Sequence, residues 1–283
     1  METIVRDLRK RIISKKIKAS SCGYPRIIRD AGLADLQRKI HSCVVTSVKR
    51  RGKNILIGLS GKKTLWVHLR MTGNLLFKNG HLAPNERVMS LVERKHVHFE
   101  LCFDDNSRLL FADPRKFGRV AVVDEEPDKV AKNPERFLLA KLGLEPLSRM
   151  FSLRRFAMQI QKRNKAIKEV LMDQSIIAGI GNIYASEILF AASINPFKKA
   201  RDLTSEEISR LHCSQRAILK KAIRYRGTSI SDYRDASGEK GAFATQLQVY
   251  KRAGEKCSRC GNIIHKSRQA QRSTFYCKYC QKA

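Results

Sequence analysis

The chain has 283 residues, 42% of them hydrophobic, which suggests two domains with packed cores rather than one. Lysine and arginine number 57 against 26 acids, and the resulting formal charge of +31 favours a polyanionic partner, first of all nucleic acid. Since no apolar run approaches the ~20 residues of a membrane span and no apolar secretory segment opens the chain, we expect no membrane partner and a reducing cytoplasm.

The first half of the chain predicts one helix followed by an antiparallel sheet. Residues 3–13 carry Ile4, Val5 and Leu8 at helical spacing. From about 40 to 123 the apolar residues alternate with a period of two, in TLWVHLR, VHFELCF, RLLFA and RVAVV. Alternation of this kind indicates a sandwich or a barrel.

The second half predicts helices. The charged segment 124–136 is expected to connect the two halves. Helices are predicted for LRRFAMQI with Ser152 as its cap, for KAIKEVLMD and for GNIYASEILFAA. Thr204 and Glu207 form a capping-box pattern that opens a long helix to about 224, and the polar, glycine-containing stretch 227–242 predicts a mobile loop.

Two cysteine pairs near the C-terminus predict a metal site. Cys257 and Cys260 are two residues apart in CSRC, and Cys277 and Cys280 repeat this spacing in CKYC. Two such turns on a hairpin supply four thiolates to one tetrahedral ion, which leaves no open coordination position. We therefore expect one structural zinc ion, with a redox motif or chance pairing as the alternative.

The chain contains the segments KRRGKNIL, HLRMTGNLLF, FADPRKFGRV and AGIGNIYASEILF ahead of the two cysteine pairs. Together these segments resemble those of one family, the formamidopyrimidine-DNA glycosylases, which remove oxidised purines from DNA. LQVYKRAGEKCSRC with the following CKYCQ is similar to their zinc finger, and AGIGNIYASEILF is similar to their helix–two-turns–helix element. HLRMTGNLLF and FADPRKFGRV resemble two segments of their N-terminal β-sandwich, and KRRGKNIL resembles the hairpin that carries a catalytic lysine. The matches run in order from residue 2 to the end of the chain.

The resemblance implies an α+β fold with three parts and damaged double-stranded DNA as partner, bound by a monomer. We expect an N-terminal helix and antiparallel β-sandwich at 1–133, a helix–two-turns–helix domain at 134–246 and a zinc-finger hairpin at 247–283. A zinc-ribbon RNA-binding protein, the alternative from another class, would explain the charge and the cysteines but not MTG, DPRKFG and GIGNIYASE together.

A glycosylase must extrude the damaged base and fill the gap that it leaves. By resemblance, the void-filling residues are Met71, Arg115 and Phe117, with Arg115 facing the orphaned cytosine. Core packing is the alternative reading of Met71 and Phe117. The resemblance also implies DNA contacts, mainly to phosphate, which we list as His96, Arg115, Arg163, Lys168 and Asn182; without it, the basic residues among them would be read as surface charges.

The family combines base excision with cleavage of the strand through a Schiff base, followed by β- and δ-elimination. By resemblance, Lys53 is the proton donor in β-elimination and Arg272 acts in δ-elimination and on phosphate. The family sequence begins Pro-Glu-Leu-Pro-Glu-Val-Glu-Thr after the initiator, whereas this chain passes from Met1 to Glu2 and Thr3. Glu2 therefore matches the third glutamate, and the nucleophilic proline and the catalytic glutamate are not present in the chain as numbered.

Three hypotheses follow from this difference at the N-terminus. The first is an active glycosylase and lyase whose true start lies a few codons upstream. The second is a homologue that binds damaged or abasic DNA without excising the base by the usual route. The third is a weak lyase that forms its Schiff base through Lys53 or through the α-amino group of Met1.

Overall fold

The computed structural model describes residues 1–29, 32–80, 95–132, 141–229 and 234–282 of the chain, which forms two compact units. The first unit comprises residues 1–138 and 226–242, and the second comprises 139–225 and 243–283. The boundary expected from the sequence at 133/134 lies outside the described residues. The stretch 226–242, which the sequence assigns to the helical domain, belongs to the first unit by its contacts.

The first unit begins with the predicted amphipathic helix, α1 (Glu2–Ile12), whose buried side includes Ile4, Val5 and Leu8. Two more helices of this unit are α2 (Leu33–Ile40) and α3 (Pro127–Lys132). The sequence pattern predicts only a connecting segment where α3 lies. Pro127 is its first residue, a position where the fixed φ of proline suits a helix and the missing N–H costs nothing.

In the described part of this unit, eight strands form two antiparallel four-stranded sheets. The period-two pattern at 40–123 predicts such sheets, but it does not predict the strand at Ile17–Ser21 or the helix α2, which precede that region. One sheet has the order β1-β6-β7-β5, with β1 (Ile17–Ser21), β6 (Val97–Phe103), β7 (Arg108–Ala112) and β5 (Asn74–Lys78). The other has the order β2-β3-β4-β8, with β2 (Val45–Arg51), β3 (Asn54–Leu59), β4 (Lys63–His68) and β8 (Arg119–Val123).

The apolar faces of both sheets share one core with the buried sides of α1 and α2. This arrangement makes the first unit a β-sandwich covered by helices. The described part of the stretch 226–242 joins the same unit: Ala236 is buried in this core, and its carbonyl accepts a hydrogen bond of 2.8 Å from the N–H of Phe77. Asp235, also buried, binds the guanidinium of Arg226.

The second unit contains the four predicted helices and the zinc-finger hairpin. The helices are α4 (Leu153–Ile160), α5 (Ile167–Met172), α6 (Asn182–Ala191) and α7 (Ser205–Arg224). The Ser152 hydroxyl accepts from the N–H of Arg155 at the start of α4, and Thr204 and Glu207 form both bonds of the predicted capping box. The fold class expected from the sequence is confirmed.

The hairpin of the second unit consists of β9 (His265–Gln269) and β10 (Arg272–Tyr276), which pair antiparallel. The two residues between them, Ala270 and Gln271, have φ of 45° and 62°. Two consecutive residues in the left-handed region are typical of a tight type I′ hairpin turn. This turn makes Arg272 the first residue of β10. Among the described residues, no helix is both long and apolar enough to cross a membrane.

Candidate nucleic-acid interface and metal centre

Met71, Arg115 and Phe117 come together on the surface of the first unit. Met71 is 67% exposed and Phe117 is 47% exposed, which is far more than core packing allows. The Arg115 guanidinium lies 4.7 Å from the centre of the Phe117 ring, and its Nη1 lies 3.7 Å from the Met71 sulfur. Two loops that are more than 40 residues apart in the chain thus present one exposed cluster of a thioether, a cation and an aromatic ring.

The loop that carries Met71 is a tight turn at the end of β4. The N–H of Gly73 donates to the carbonyl of Leu69 at 3.0 Å, and Arg70 has a φ of 54°. The N–H of Arg70 also donates to Nδ1 of His68 at 3.0 Å. Burial, with the charges of Arg70 and Lys53, lowers the pKa of His68 to about 4. The imidazole is therefore neutral at physiological pH and can accept this hydrogen bond.

The loop that carries Arg115 and Phe117 follows β7. Its turn is closed by a 3.0 Å hydrogen bond from the N–H of Lys116 to the carbonyl of Asp113. Pro114 occupies the second position of this turn, as the sequence predicts, because its fixed φ suits that position. Lys116 has a φ of 58°, and its ammonium lies 4.7 Å from the centre of the Tyr24 ring.

Lys53, His96 and Glu2 lie in the same unit. Lys53 lies in the turn between β2 and β3, and its charge contributes to the lowered pKa of His68. The carbonyl of His96 accepts from the N–H of Asp113 at 2.9 Å, so His96 adjoins the Arg115 loop. The Glu2 carboxylate binds Arg50 at 2.8 Å and Arg6 at 3.0 Å. Burial would raise the pKa of Glu2, but these two guanidinium groups lower it overall.

In the second unit, Lys168 and Asn182 meet at one carbonyl of the zinc-finger hairpin. Lys168 Nζ donates to the carbonyl of Ser273 at 2.9 Å and to Oγ1 of Thr274 at 2.7 Å. Nδ2 of Asn182 donates to the same Ser273 carbonyl at 3.0 Å. Lys168 is only 1% exposed, so the surface charge that the sequence alone would suggest is a buried ammonium. Burial, followed by the nearby charge of Arg272, lowers its pKa to about 8.

Arg272 and Arg163 are exposed in the same unit. Arg272 stands beside the turn of the hairpin, one residue before the carbonyl that receives Lys168 and Asn182. Arg163 follows α4, and its carbonyl accepts from the N–H of Arg201 at 3.1 Å. Arg272, Lys168 and Asn182 therefore form one local group, and the N-terminus of α6 at Asn182 is part of it.

The four predicted metal ligands converge. The Sγ atoms of Cys257, Cys260, Cys277 and Cys280 all lie within 4.8 Å of one another, with Cys257 to Cys280 at 3.8 Å and Cys260 to Cys277 at 3.5 Å. Tetrahedral coordination with Zn–S bonds of about 2.3 Å places sulfur atoms about 3.8 Å apart, so the cluster fits zinc. Four protein thiolates close the coordination shell, and the role of the ion is structural rather than catalytic.

Glu187 is a residue whose role the sequence analysis does not identify. It is buried in α6, and its carboxylate accepts three backbone N–H groups, from Gln248 at 2.9 Å, Val249 at 3.0 Å and Tyr250 at 2.9 Å. This segment leads directly into the zinc finger. The available signal was a single acid within the otherwise apolar stretch NIYASEILFAA, because a charge among buried residues needs partners.

Comparisons with known proteins agree with this arrangement along the whole chain. Residues 1–120 match the family model described as the formamidopyrimidine-DNA glycosylase N-terminal domain. Residues 142–234 match the formamidopyrimidine-DNA glycosylase H2TH domain, and 254–283 match a zinc finger found in FPG and IleRS. Since the last match includes all four cysteines, a structural zinc ion is the cofactor of this hairpin.

Individual relatives cover the chain completely. The formamidopyrimidine-DNA glycosylase of Pelotomaculum thermopropionicum is 38% identical over 282 residues, which are 100% of this chain and 97% of the relative. Two structures of Lactococcus lactis Fpg, one with DNA containing an abasic site and one with FAPY-dG-containing DNA, superpose with TM-scores of 0.87 and 0.84 at 36% and 35% identity. Each of the two comparisons covers 100% of this chain and 98% of the Lactococcus lactis chain. The chain belongs to the formamidopyrimidine-DNA glycosylase family.

Proposed function

We propose that the protein acts in base-excision repair by removing oxidised purines, 8-oxoguanine and formamidopyrimidines, from duplex DNA. The observation that carries this proposal is the exposed cluster of Met71, Arg115 and Phe117 on two turns. Unstacking the flipped base costs a glycosylase free energy, and apolar or planar side chains held on fixed turns can fill the vacated space. In this proposal, Arg115 faces the cytosine that has lost its partner.

The other DNA contacts are proposed on the sequence resemblance and on charge. His96 adjoins the Arg115 loop, and Arg163 is an exposed cation. Asn182 opens α6, and N–H groups at the start of a helix favour a phosphate. Lys168 uses two N–H groups on the hairpin, and an ammonium has three, so a phosphate contact through the third stays a prediction.

We propose strand cleavage by the chemistry that the family resemblance implies. In the family's chemistry, the amine of an N-terminal proline attacks C1′ of the sugar, the base leaves with a proton, and the resulting Schiff base undergoes β- and then δ-elimination. The chain as numbered does not contain this proline. Lys53 donates a proton during β-elimination. The planar guanidinium of Arg272 suits a phosphate, so its contribution to δ-elimination is to stabilise the departing phosphate. The Lactococcus lactis complex with FAPY-dG-containing DNA supports the assigned class of lesion.

The proposal is tested by trapping the Schiff base with borohydride on a duplex that holds 8-oxoguanine opposite cytosine. Two proteins are compared: the chain as numbered, and a version in which Pro-Glu-Leu-Pro-Glu-Val stands in front of Glu2. We expect the extended protein to form the reduced covalent complex and to release cleaved strand. If the extended protein binds the lesion but neither traps nor cleaves it, the proposed glycosylase and lyase activity is wrong.

The chain as numbered separates the remaining hypotheses in the same experiment. Tight binding of the lesion without trapping identifies this form as a damaged-DNA-binding homologue that does not excise. Weak trapping identifies a substitute amine, and Lys53→Ala then distinguishes its source. If trapping is lost in Lys53→Ala, the Lys53 amine forms the Schiff base; if trapping persists, the α-amino group of Met1 is the nucleophile.

A further inference from the structure

A buried carboxylate connects the two loops that carry the exposed cluster. Asp113 is fully buried directly after β7. Its Oδ1 accepts from the hydroxyl of Thr72 and, at 3.2 Å, from the N–H of Arg115. Its Oδ2 accepts from the N–H of Gly118 at 2.6 Å. Thr72 directly follows Met71, while Arg115 and Gly118 bracket Phe117, so one side chain holds both loops.

The ring of Phe111 is a second connection between the same loops. Phe111 is fully buried on β7, two residues before Asp113. A Cβ at Gly73, in the Met71 turn, would lie 2.8 Å from Cε2 of this ring. A Cβ at Gly118 would lie 2.1 Å from its Cζ. Both loops thus pack closely against one ring at positions where only glycine fits.

The backbone of Asp113 is itself held on both sides. Its N–H donates to the carbonyl of His96 at 2.9 Å, and its carbonyl lies 3.0 Å from Nε2 of His98. Burial lowers the pKa of His98, so the ring is neutral near pH 7, and its Nε2–H can donate to this carbonyl. The carboxylate consequently has little freedom to follow either loop if that loop moves.

We propose that Asp113 is a positioning residue that makes the Met71 loop and the Arg115–Phe117 loop enter the duplex as one rigid unit. The inference rests on the proposed function in one respect, which is that Met71, Arg115 and Phe117 fill the space left by the base. Loops that are fixed before binding lose less conformational entropy when they insert. The Thr72 hydroxyl is the only donor of the three that belongs to the Met71 loop, so it carries the side-chain connection between the loops.

The test replaces Thr72 and measures insertion without requiring excision. Thr72→Val keeps the shape but removes the hydroxyl, while Thr72→Ser keeps the hydroxyl and serves as the matched control. The probe is a duplex that contains a tetrahydrofuran abasic-site analogue opposite cytosine, with 2-aminopurine beside it to report unstacking. We expect Thr72→Val to bind this duplex about tenfold more weakly, as for loss of a buried hydrogen bond. Thr72→Ser should bind within about twofold of the unmodified protein.

A double-mutant cycle distinguishes positioning from a general loss of structure. Met71→Ala and Phe117→Ala are made singly and together in the otherwise unmodified protein, and the affinity for the same duplex is measured. Rigid coupling predicts that the loss of affinity in the double mutant differs at least about threefold from the product of the two single losses. In the Thr72→Val protein the two effects should become multiplicative. Asp113→Asn provides a second background for the same cycle. Its NH2 group is a donor and would face either the N–H of Gly118 or the donors of Thr72 and Arg115, so one of these hydrogen bonds would be lost.

The outcomes separate this inference from the function on which it rests. If Met71→Ala leaves 2-aminopurine fluorescence and affinity unchanged, the void-filling assignment in the proposed function is wrong. If Met71→Ala lowers the affinity and the fluorescence but Thr72→Val and Thr72→Ser bind the duplex with equal affinity, the positioning role of Asp113 is wrong. The same conclusion follows if the coupling between Met71 and Phe117 survives in both the Thr72→Val and the Asp113→Asn proteins. Affinity for an undamaged duplex should be unaffected by Thr72→Val.

Discussion

Lys168 Nζ lies 2.9 Å from the carbonyl oxygen of Ser273, and this contact fastens α5 to the zinc-finger hairpin. Asn182, from the start of α6, donates to the same oxygen. The adjacent residue of β10 is Arg272. Burial is the larger cause of the lowered pKa of Lys168, and the charge of Arg272 is the second. The Ser273 carbonyl thus connects α5 and α6 to the zinc-finger hairpin next to the exposed Arg272.

The buried ammonium predicts a specific pH dependence of stability. The pKa of Lys168 is about 8 in the folded protein, against about 10.4 for an unperturbed lysine. Between these values the unfolded chain holds the proton and the folded protein does not, so the free energy of unfolding rises with pH. We expect the unmodified protein to gain on the order of 1 kcal/mol relative to Lys168→Met between pH 7 and 10.

The measurement is the difference in melting temperature between these two proteins across that pH range. The difference removes the contributions of other lysines and tyrosines, which titrate in both proteins. Lys162→Met, at an exposed position in the same unit, is the matched control and should show a flat difference. A flat difference for Lys168→Met as well would mean that the folded-state pKa is not lowered.

Glu187 predicts a large effect of a single-atom change. Replacing one carboxylate oxygen by an NH2 group in Glu187→Gln sets a donor against at least one of the N–H groups of residues 248–250. Leaving buried backbone donors without acceptors costs about 1–3 kcal/mol each. We expect a melting temperature lower by several degrees, while Glu206→Gln on the exposed side of α7 changes little. Equal melting temperatures for the two variants would contradict the bridging role of Glu187.

The elements that sequence patterns predicted are those in which local chemistry determines the structure. The capping box at Thr204 and the alternation in β6 and β7 need only neighbouring residues, and both appear in the structure. The spacing of the four cysteines also suffices, because a metal site restricts its ligands to a few geometries. In contrast, the sequence pattern does not predict α3, because its short, charged sequence carries no apolar periodicity. It does not predict the short elements α2 and β1 either.

The positioning residues could not be predicted because their partners are distant in sequence. Asp113 stands in the motif DPRKFG, where Arg115 and Phe117 attract attention, but its bond to Thr72 joins residues 41 apart. Lys168 looks like one more solvated charge on a basic chain until the hairpin from residue 273 onward covers it. Placing such residues requires the tertiary structure, which neither propensity nor periodicity contains.

Removal of zinc should unfold the hairpin and abolish DNA binding. Structural zinc sites of this type contribute about 10–16 kcal/mol of binding free energy to folding, and β9 and β10 alone form only a two-stranded sheet. We expect one zinc ion per chain by elemental analysis, lost on prolonged chelation or in Cys277→Ser. Cys213→Ser, which alters an exposed cysteine outside the cluster, should keep its zinc and its affinity for DNA. Retained DNA binding after complete zinc loss would show that the hairpin is dispensable.

Arg115 should determine which base is tolerated opposite the lesion. Its guanidinium lies over Phe117 and beside the sulfur of Met71, so the planar group is held at the tip of the cluster. A cation at this point can donate to the acceptors of cytosine, and a preference of about 1–3 kcal/mol follows from one good contact of this kind. We expect Arg115→Ala to reduce the preference for abasic-analogue duplexes with cytosine over adenine by about tenfold or more. Lys116→Ala, the neighbouring cation directed at Tyr24, should leave the preference intact. An unchanged cytosine preference in Arg115→Ala would show that the opposite base is read elsewhere.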